Sequence, residues 1–170
     1  MKNMIKKYHL IILFMAAHTV FTIMTFFSPR ITNGGLDIFD LRMFIGYDLL
    51  YAETLINSLT RTGLNYYLYV LMPLDYLYPL FLSIFFFLFF KKITNNWIIA
   101  LLGFLSMIFD FVENTLIIRM LTSNMLTNRL VNTASLFTQL KGYAYLLNYG
   151  LFIILFIVFI LKKSNYVKVN

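Results

Sequence analysis

The groups able to do chemistry in this chain stand where charge is costly. Asp75 lies within the apolar run 67–90, and Asp110 and Glu113 lie within the run 97–118. A charged side chain at the centre of a bilayer costs roughly 2.5–3.5 kcal/mol even on the mildest scale, so such groups normally face a protein interior or a wet cavity and mark function. Asp110, Glu113 and Asn114 share one helix face by i,i+3 and i,i+4 spacing. On the run 10–27, His18, Thr22 and Thr25 form a stripe of the same period. On the run 143–161, Tyr145 and Asn148 lie near each other with Lys141 above them. Two neighbouring carboxylates in a low dielectric do not readily both ionise, so Asp75 and Asp110 are expected to hold one proton and one negative charge between them. That state suits an amine ligand or a developing cation, and equally proton transfer, with one acid donating and its partner accepting. The expected site is a polar pocket lined by His18, Thr22, Asp75, Asp110, Glu113, Asn114 and Asn148.

Stretches that hold these residues must be helices that cross a membrane. Of the 170 residues, 61% are hydrophobic and 12% charged, with mean hydropathy +0.79; a soluble domain carries about twice that charged fraction. The apolar residues gather into four blocks, 10–27, 67–90, 97–118 and 143–161, each long enough to span a bilayer. In lipid, backbone polar groups must be satisfied within the segment, which selects helices. The fold class expected is all-α, a single integral membrane four-helix bundle over residues 1–170. The basic start resembles a signal peptide, but the apolar run is long for one and lacks a small-residue cleavage site, so a retained helix is expected.

The connections are unequal. Only residues 91–96 separate the second and third blocks, a tight hairpin that makes those helices antiparallel neighbours. The other two connections are long. Within the first, Leu49, Ala52, Leu55, Ile56 and Leu59 form an apolar stripe opposite Glu53, Asn57 and Arg61, which predicts an amphipathic helix over 48–62 with Asp48 as N-cap and Gly63 as the stop. A second helical stretch, 132–140, is placed to extend the fourth span. Eight lysines, at 2, 6, 7, 91, 92, 162, 163 and 168, fall on one side of four spans. The positive-inside rule then places both termini and the hairpin in the cytoplasm and the two long loops outside. A bacterial cytoplasmic membrane is the expected location.

Helix two carries a backbone feature beside its acid. Pro79 cannot donate to the carbonyl of Asp75, and Pro73 likewise frees that of Tyr69. Freed groups in lipid are tolerated where they face a cavity or find another donor. Tyrosines 66, 67, 69, 143 and 145 near the outer ends read as an interfacial aromatic belt. There is no cysteine, which removes disulfides and thiol chemistry. Two histidines and seven acids supply a metal site poorly, and no metal or other cofactor is expected. The net charge of +7 follows the lysines at the span ends and forms no nucleic-acid face.

Four helices, cytosolic termini, a long first outer loop, an intramembrane acid followed by proline in helix two and a lysine-bearing tail together resemble the EXPERA superfamily, which includes the sigma-2 receptor and the emopamil-binding sterol isomerases. The step from His18 to Thr22 is similar to the sigma-2 type. The resemblance implies an acid-lined pocket inside the bundle for sterols or cationic amphiphiles, and in some members isomerisation of a sterol double bond. This sequence has Thr25-Phe26 where the sigma-2 type carries an acid, and no histidine–acid pair stands beside Asp75 as in the isomerases. The segment 47–79 is also similar to small bacterial membrane proteins.

Three functions of different classes fit these residues. One is a pocket for a small lipophilic or cationic ligand, with or without acid–base chemistry. The alternative is a structural or accessory membrane protein, such as an immunity or assembly factor, in which the acids are protonated helix–helix glue. A transporter ranks last, since residues 85–90 are uniformly phenylalanine and leucine and four helices would need a homo-oligomer. The partners expected are membrane lipid and the ligand.

Overall fold

A computed structural model of the chain describes residues 2–32 and 35–168, with side chains described within 8–32 and 35–161. The lysines at 2, 6, 7, 162, 163 and 168 fall outside the described side chains. The described residues are helical throughout their ordered elements and contain no strand. Helix α1 covers Lys2–Thr32, a single 3₁₀ turn covers Phe39–Arg42, and α2 covers Leu49–Ser58. Helix α3 (Arg61–Tyr66) runs through a π-helical turn, Tyr67–Leu71, into α4 (Met72–Thr94). Helix α5 (Trp97–Leu101) passes through a 3₁₀ turn, Leu102–Phe104, into α6 (Leu105–Thr122), and α7 covers Asn128–Lys168. Four of the resulting rods are long and apolar enough to cross a membrane: Tyr8–Thr32, Arg61–Thr94, Trp97–Thr122 and Asn128–Leu161.

The expected hairpin is present and tighter than its sequence suggests. Helix α4 continues to Thr94, Asn95 takes the left-handed conformation (φ 53°) and Asn96 caps the next helix, accepting from the Ile98 amide at 2.8 Å. An Asn pair performs both the stop and the restart. Helix α7 extends the fourth span toward its N-terminal end: at 41 residues it is one continuous rod of about 60 Å at 1.5 Å per residue, far longer than a bilayer core.

The amphipathic helix starts as expected, with Asp48 accepting from the Tyr51 amide at 2.8 Å. Its apolar face buries Ala52 and Leu55. Its end differs. The chain breaks at Leu59, which is extended (ψ 127°), and Thr60 caps a new helix, accepting from the Gly63 amide at 3.0 Å. Gly63 is therefore inside α3, not a stop. The absent side chain serves close packing, because a Cβ there would collide with the Ile31 carbonyl oxygen of α1.

Helix α4 is the hub, packing on α1, α6 and α7, while α6 and α7 pack extensively on each other. Helices α1 and α7 flank α4 and touch each other little. The core divides into two clusters. One lies at the end of the long loops, around Ile31, Phe39, Leu55, Tyr67, Ile117 and Met120. The other lies toward the hairpin, around Leu82, Phe86, Phe90 and Ala100. Gly103 lets α4 and the start of the third rod approach, since a Cβ would sit 2.6 Å from the Phe87 amide nitrogen. Gly150 has open space around it. Replacement by alanine separates the two cases. Gly103→Ala is expected to destabilise by about 1–3 kcal/mol, the range for overpacking. Gly150→Ala is expected to be neutral or to stabilise by about 0.5–1 kcal/mol. Thermal unfolding in one detergent measures both.

Candidate functional site

One ammonium group organises the interior at the loop end. Lys141, on the inward stripe of α7, is 2% exposed. Its Nζ lies 3.2 Å from Asp40 Oδ1, 3.7 Å from Asp110 Oδ1 and in direct contact with Glu113 Oε2. Those acids come from three places: the 3₁₀ turn in the first long loop, the middle of α6, and one turn further along α6. A charge this deep is tolerable only when paired and hydrogen-bonded.

Each acid is also held by a hydroxyl or amide. Tyr67 donates to Asp40 Oδ2 at 2.9 Å and accepts from the Phe39 amide at 3.2 Å, fixing the 3₁₀ turn onto α4. The π-helical turn that begins at Tyr67 shifts the register of the rod and carries this ring inward, where it is fully buried. Tyr145 donates to Asp110 Oδ2 at 2.6 Å. Thr138 donates to Glu113 Oε1 at 2.6 Å, and the Tyr47 hydroxyl donates to Thr138 at 3.2 Å. The Tyr47 amide donates to Ser135 at 2.8 Å, a second tie from the loop to α7.

The carbonyl freed by Pro79 is satisfied in this network. Asn114 Nδ2 lies 3.2 Å from the Asp75 carbonyl oxygen and 3.2 Å from Asp110 Oδ1. One amide thus joins the proline-broken turn of α4 to the acid of α6, and Asp75 and Asp110 share a level. The Asp75 side chain differs from the other acids. It is 3% exposed, and its Oδ2 has no donor among the described residues. Its carboxyl is instead within hydrogen-bonding reach of Asp40. Two carboxyls in that contact are favourable only with a proton or a cation between them.

A cavity of ≈ 240 Å³ opens on this cluster. Asp40, Asp75, Asp110, Lys141 and Tyr145 form its polar wall, and Phe21, Met24, Ile38, Leu71 and Tyr78 are among the residues that complete it. It sits in the gap between α1 and α7, with α4 behind it. A largely apolar hollow with a few convergent polar groups is the usual form of a small-molecule site.

Of the expected lining, Asp75 and Asp110 meet at the cavity. Glu113 and Asn114 are buried behind the wall, where they position Lys141 and Asp110. The remaining three are not brought in. His18 is half-buried, with Nδ1 2.8 Å from the Phe14 carbonyl and its ring 4.0 Å from that of Phe14. Thr22 is exposed and donates to the His18 carbonyl at 2.8 Å. Only Thr25 of that stripe reaches the cavity. Helix α1 is apolar on every side, so its few polar groups did not identify its inner face. Asn148 is buried but lies deeper, donating to Ser106 Oγ at 3.1 Å and joining α7 to α6. The tyrosines divide as well: Tyr69 and Tyr143 are exposed as an aromatic belt requires, whereas Tyr67 and Tyr145 belong to the site.

The expected lining omits Asp40, Lys141, Tyr67, Tyr145 and Thr138, although Lys141 and Tyr145 already stand beside Asn148 in the sequence. A signal existed for α7, where Thr138, Lys141, Tyr145 and Asn148 follow one another at spacings of three and four. None existed for Asp40, which meets Lys141 across 101 positions of chain. No family model matches this chain, and no curated protein or solved structure does.

Removing the ammonium leaves several buried carboxyls facing one another. Lys141→Met is expected to cost about 3–5 kcal/mol, the range for breaking a buried ion pair from one side. Adding Glu113→Gln should recover part of the loss, and chemical unfolding of the three proteins measures both. Asp40 gives a pH signature. Burial pushes its carboxyl up, but the Lys141 ammonium and the hydrogen bonds from Asp75, Tyr67 and Lys141 outweigh burial and hold it below the ordinary 3.8. Its stabilisation is therefore complete above that value and is lost as pH falls through the lower folded value. Asp40→Asn should melt earlier than the wild type at neutral pH, and the gap should close only below pH 3.8.

Proposed function

We propose that this chain is an integral membrane protein whose cavity binds a small lipophilic cation, with the Asp75 carboxyl as the counter-charge. The observation that carries the reading is the uncommitted Asp75 Oδ2, buried yet on the wall of the hollow. Around it, three carboxyls share one lysine, and Asp75 makes a fourth acid, so the site is short of positive charge. A ligand ammonium between Asp75 and Asp40 supplies what a shared proton otherwise must. The apolar wall from Phe21, Met24, Ile38 and Leu71 suits the hydrocarbon part of such a ligand. The lysines at the span ends support cytoplasmic termini, a hairpin on the same side and a cavity open toward the outer leaflet. The resemblance to EXPERA-type bundles points the same way.

The accessory-protein reading draws on a specific observation too. Glu113, Asp110 and Asp40 are all engaged by Lys141, which is what structural glue requires. The two readings divide at Asp75, which Lys141 does not engage.

The test uses purified protein in lipid nanodiscs, titrated with a hydrophobic tertiary amine and with its neutral alcohol analogue. The amine should raise the melting temperature and the alcohol should not. Asp75→Asn should weaken amine binding by roughly 10- to 100-fold, the cost of losing one charge-assisted contact of about 1.5–3 kcal/mol. Equal responses to amine and alcohol, or an Asp75→Asn protein that binds the amine as the wild type does, would favour the accessory role.

A further inference from the structure

Two arginines at the loop end stand where electrostatics gives them no partner. Arg119 lies in the last turn of α6, and Arg129 is the second residue of α7. Both line one hollow of ≈ 380 Å³ between those helix ends. A cation near a helix C-terminus complements the helix dipole, which accounts for Arg119; a cation in a first turn opposes it, so Arg129 is misplaced by the same rule. Two like charges on one hollow also repel. Among the described residues no acid lines this hollow, and neither arginine forms an ion pair. Glu53 belongs to the adjoining hollow, beyond Ser123 and Met125, which line both. Other arginines at this end are differently placed. Arg30 lies over the Phe26 ring at 4.4 Å, and Arg42 lies over the Tyr51 ring at 4.2 Å and donates to the Gly46 carbonyl.

The hydroxyls around the hollow are mostly committed to the backbone. Ser123 donates to the Met125 carbonyl at 2.7 Å and Thr133 to the Arg129 carbonyl at 2.8 Å. Thr127 accepts from the Leu130 amide at 3.3 Å and keeps its own hydroxyl proton to donate. The two guanidiniums are therefore the main donors left for a ligand. Half-buried Leu116 and Leu130 supply the apolar part of the wall. The height of the hollow follows from the third rod. Exposed Trp97 opens that rod at the hairpin end, and Arg119 lies twenty-two positions later. At 1.5 Å per residue that is ~33 Å, just past the ~30 Å of a hydrocarbon core. Leu116, nearly one turn earlier, falls just inside it.

We propose that Arg119 and Arg129 bind the phosphate of an anionic phospholipid in the leaflet on the side of the long loops, with its acyl chains descending past Leu116. A guanidinium fork matches two phosphate oxygens at once. An anion between the arginines removes their mutual repulsion and the conflict of Arg129 with its helix. The apolar wall and the height of the hollow favour a lipid over a free phosphate. The lack of an acid on the wall favours an anionic headgroup over a zwitterionic one, whose ammonium would find no partner there. This inference rests on the rods crossing a membrane and is independent of Asp75.

Native mass spectrometry of the full chain in detergent tests the site, with phosphatidylglycerol and phosphatidylcholine of identical acyl chains as probes. The wild type should retain one phosphatidylglycerol on the order of tenfold more tightly than phosphatidylcholine, as a charge-assisted contact requires. Arg119→Gln and Arg129→Gln, both at exposed positions, should each remove most of that preference without changing the melting temperature. Arg30→Gln deletes the same charge at the same end but outside the hollow, and should leave the preference intact. Glycerol phosphate at millimolar concentration should not displace the lipid. Equal retention of the two lipids, a preference that survives in the double Arg119→Gln, Arg129→Gln variant, or an equal loss in Arg30→Gln would show only the general attraction of a basic protein for anionic lipid and overturn the site. Displacement by glycerol phosphate would overturn the lipid in favour of a soluble phosphate. Asp75→Asn should bind phosphatidylglycerol as the wild type does, so failure of the ammonium reading leaves this site standing. A chain that stays soluble and monodisperse without detergent would remove the membrane reading and this site together.

Discussion

The structure at the loop end depends on a single buried cation. Lys141 is almost wholly withdrawn from solvent, so carboxylates must stabilise its charge, and they arrive from both the first long loop and α6. Satisfying the ammonium therefore folds the loop onto the bundle and presses α6 against α7. Two tyrosines and a threonine each donate one further hydrogen bond to those acids. A buried cluster of this kind is a poor source of net stability, because desolvation consumes most of the attraction. Its value lies in specificity: the 3₁₀ turn at Phe39–Arg42 has one place to dock. An excess of carboxyls then has a chemical consequence, since the acid that Lys141 does not engage needs a proton or a cation from elsewhere.

The backbone is adapted to the same end. Two irregularities of the second rod, the π-helical turn at Tyr67–Leu71 and the break at Pro79, bracket Asp75. The first carries Tyr67 inward to the loop acid. The second exposes a carbonyl that Asn114 takes up. Neither would be stable in lipid without its partner, so the irregular turns and the polar cluster depend on each other. Toward the hairpin the bundle is mostly hydrocarbon, with close approach at Gly103, aromatic packing through Phe85, Phe86 and Phe90, and the buried Asn148–Ser106 bond as a polar tie.

What was legible in the sequence follows from the range of each signal. Rods long enough to cross a membrane and the hairpin between α4 and α5 rest on local hydropathy, and the structure has them. Asn114 could be placed because it lies one turn from Asp110. On α1, apolar all round, periodicity does not mark the inward side, so His18 and Thr22 carry no signal of where they face. Lys141 stands just above the apolar run 143–161, where the end of a span and the middle of a longer helix read alike. The rod instead begins at Asn128, and that extension buries the ammonium. Asp40 belongs to a loop, and its partnership with α7 is set entirely by tertiary folding.

The most direct test of this account is a solid-state NMR measurement of dipolar coupling between the lysine side-chain nitrogens and the Asp and Glu carboxyl carbons, with the protein in lipid. The account predicts strong coupling from one lysine to carboxyls of both residue types, with the Asp part reduced in Asp40→Asn and the whole signal lost in Lys141→Gln. Coupling that is absent, or that is unchanged in Lys141→Gln, would contradict a buried ammonium as the centre on which loop, helices and cavity converge.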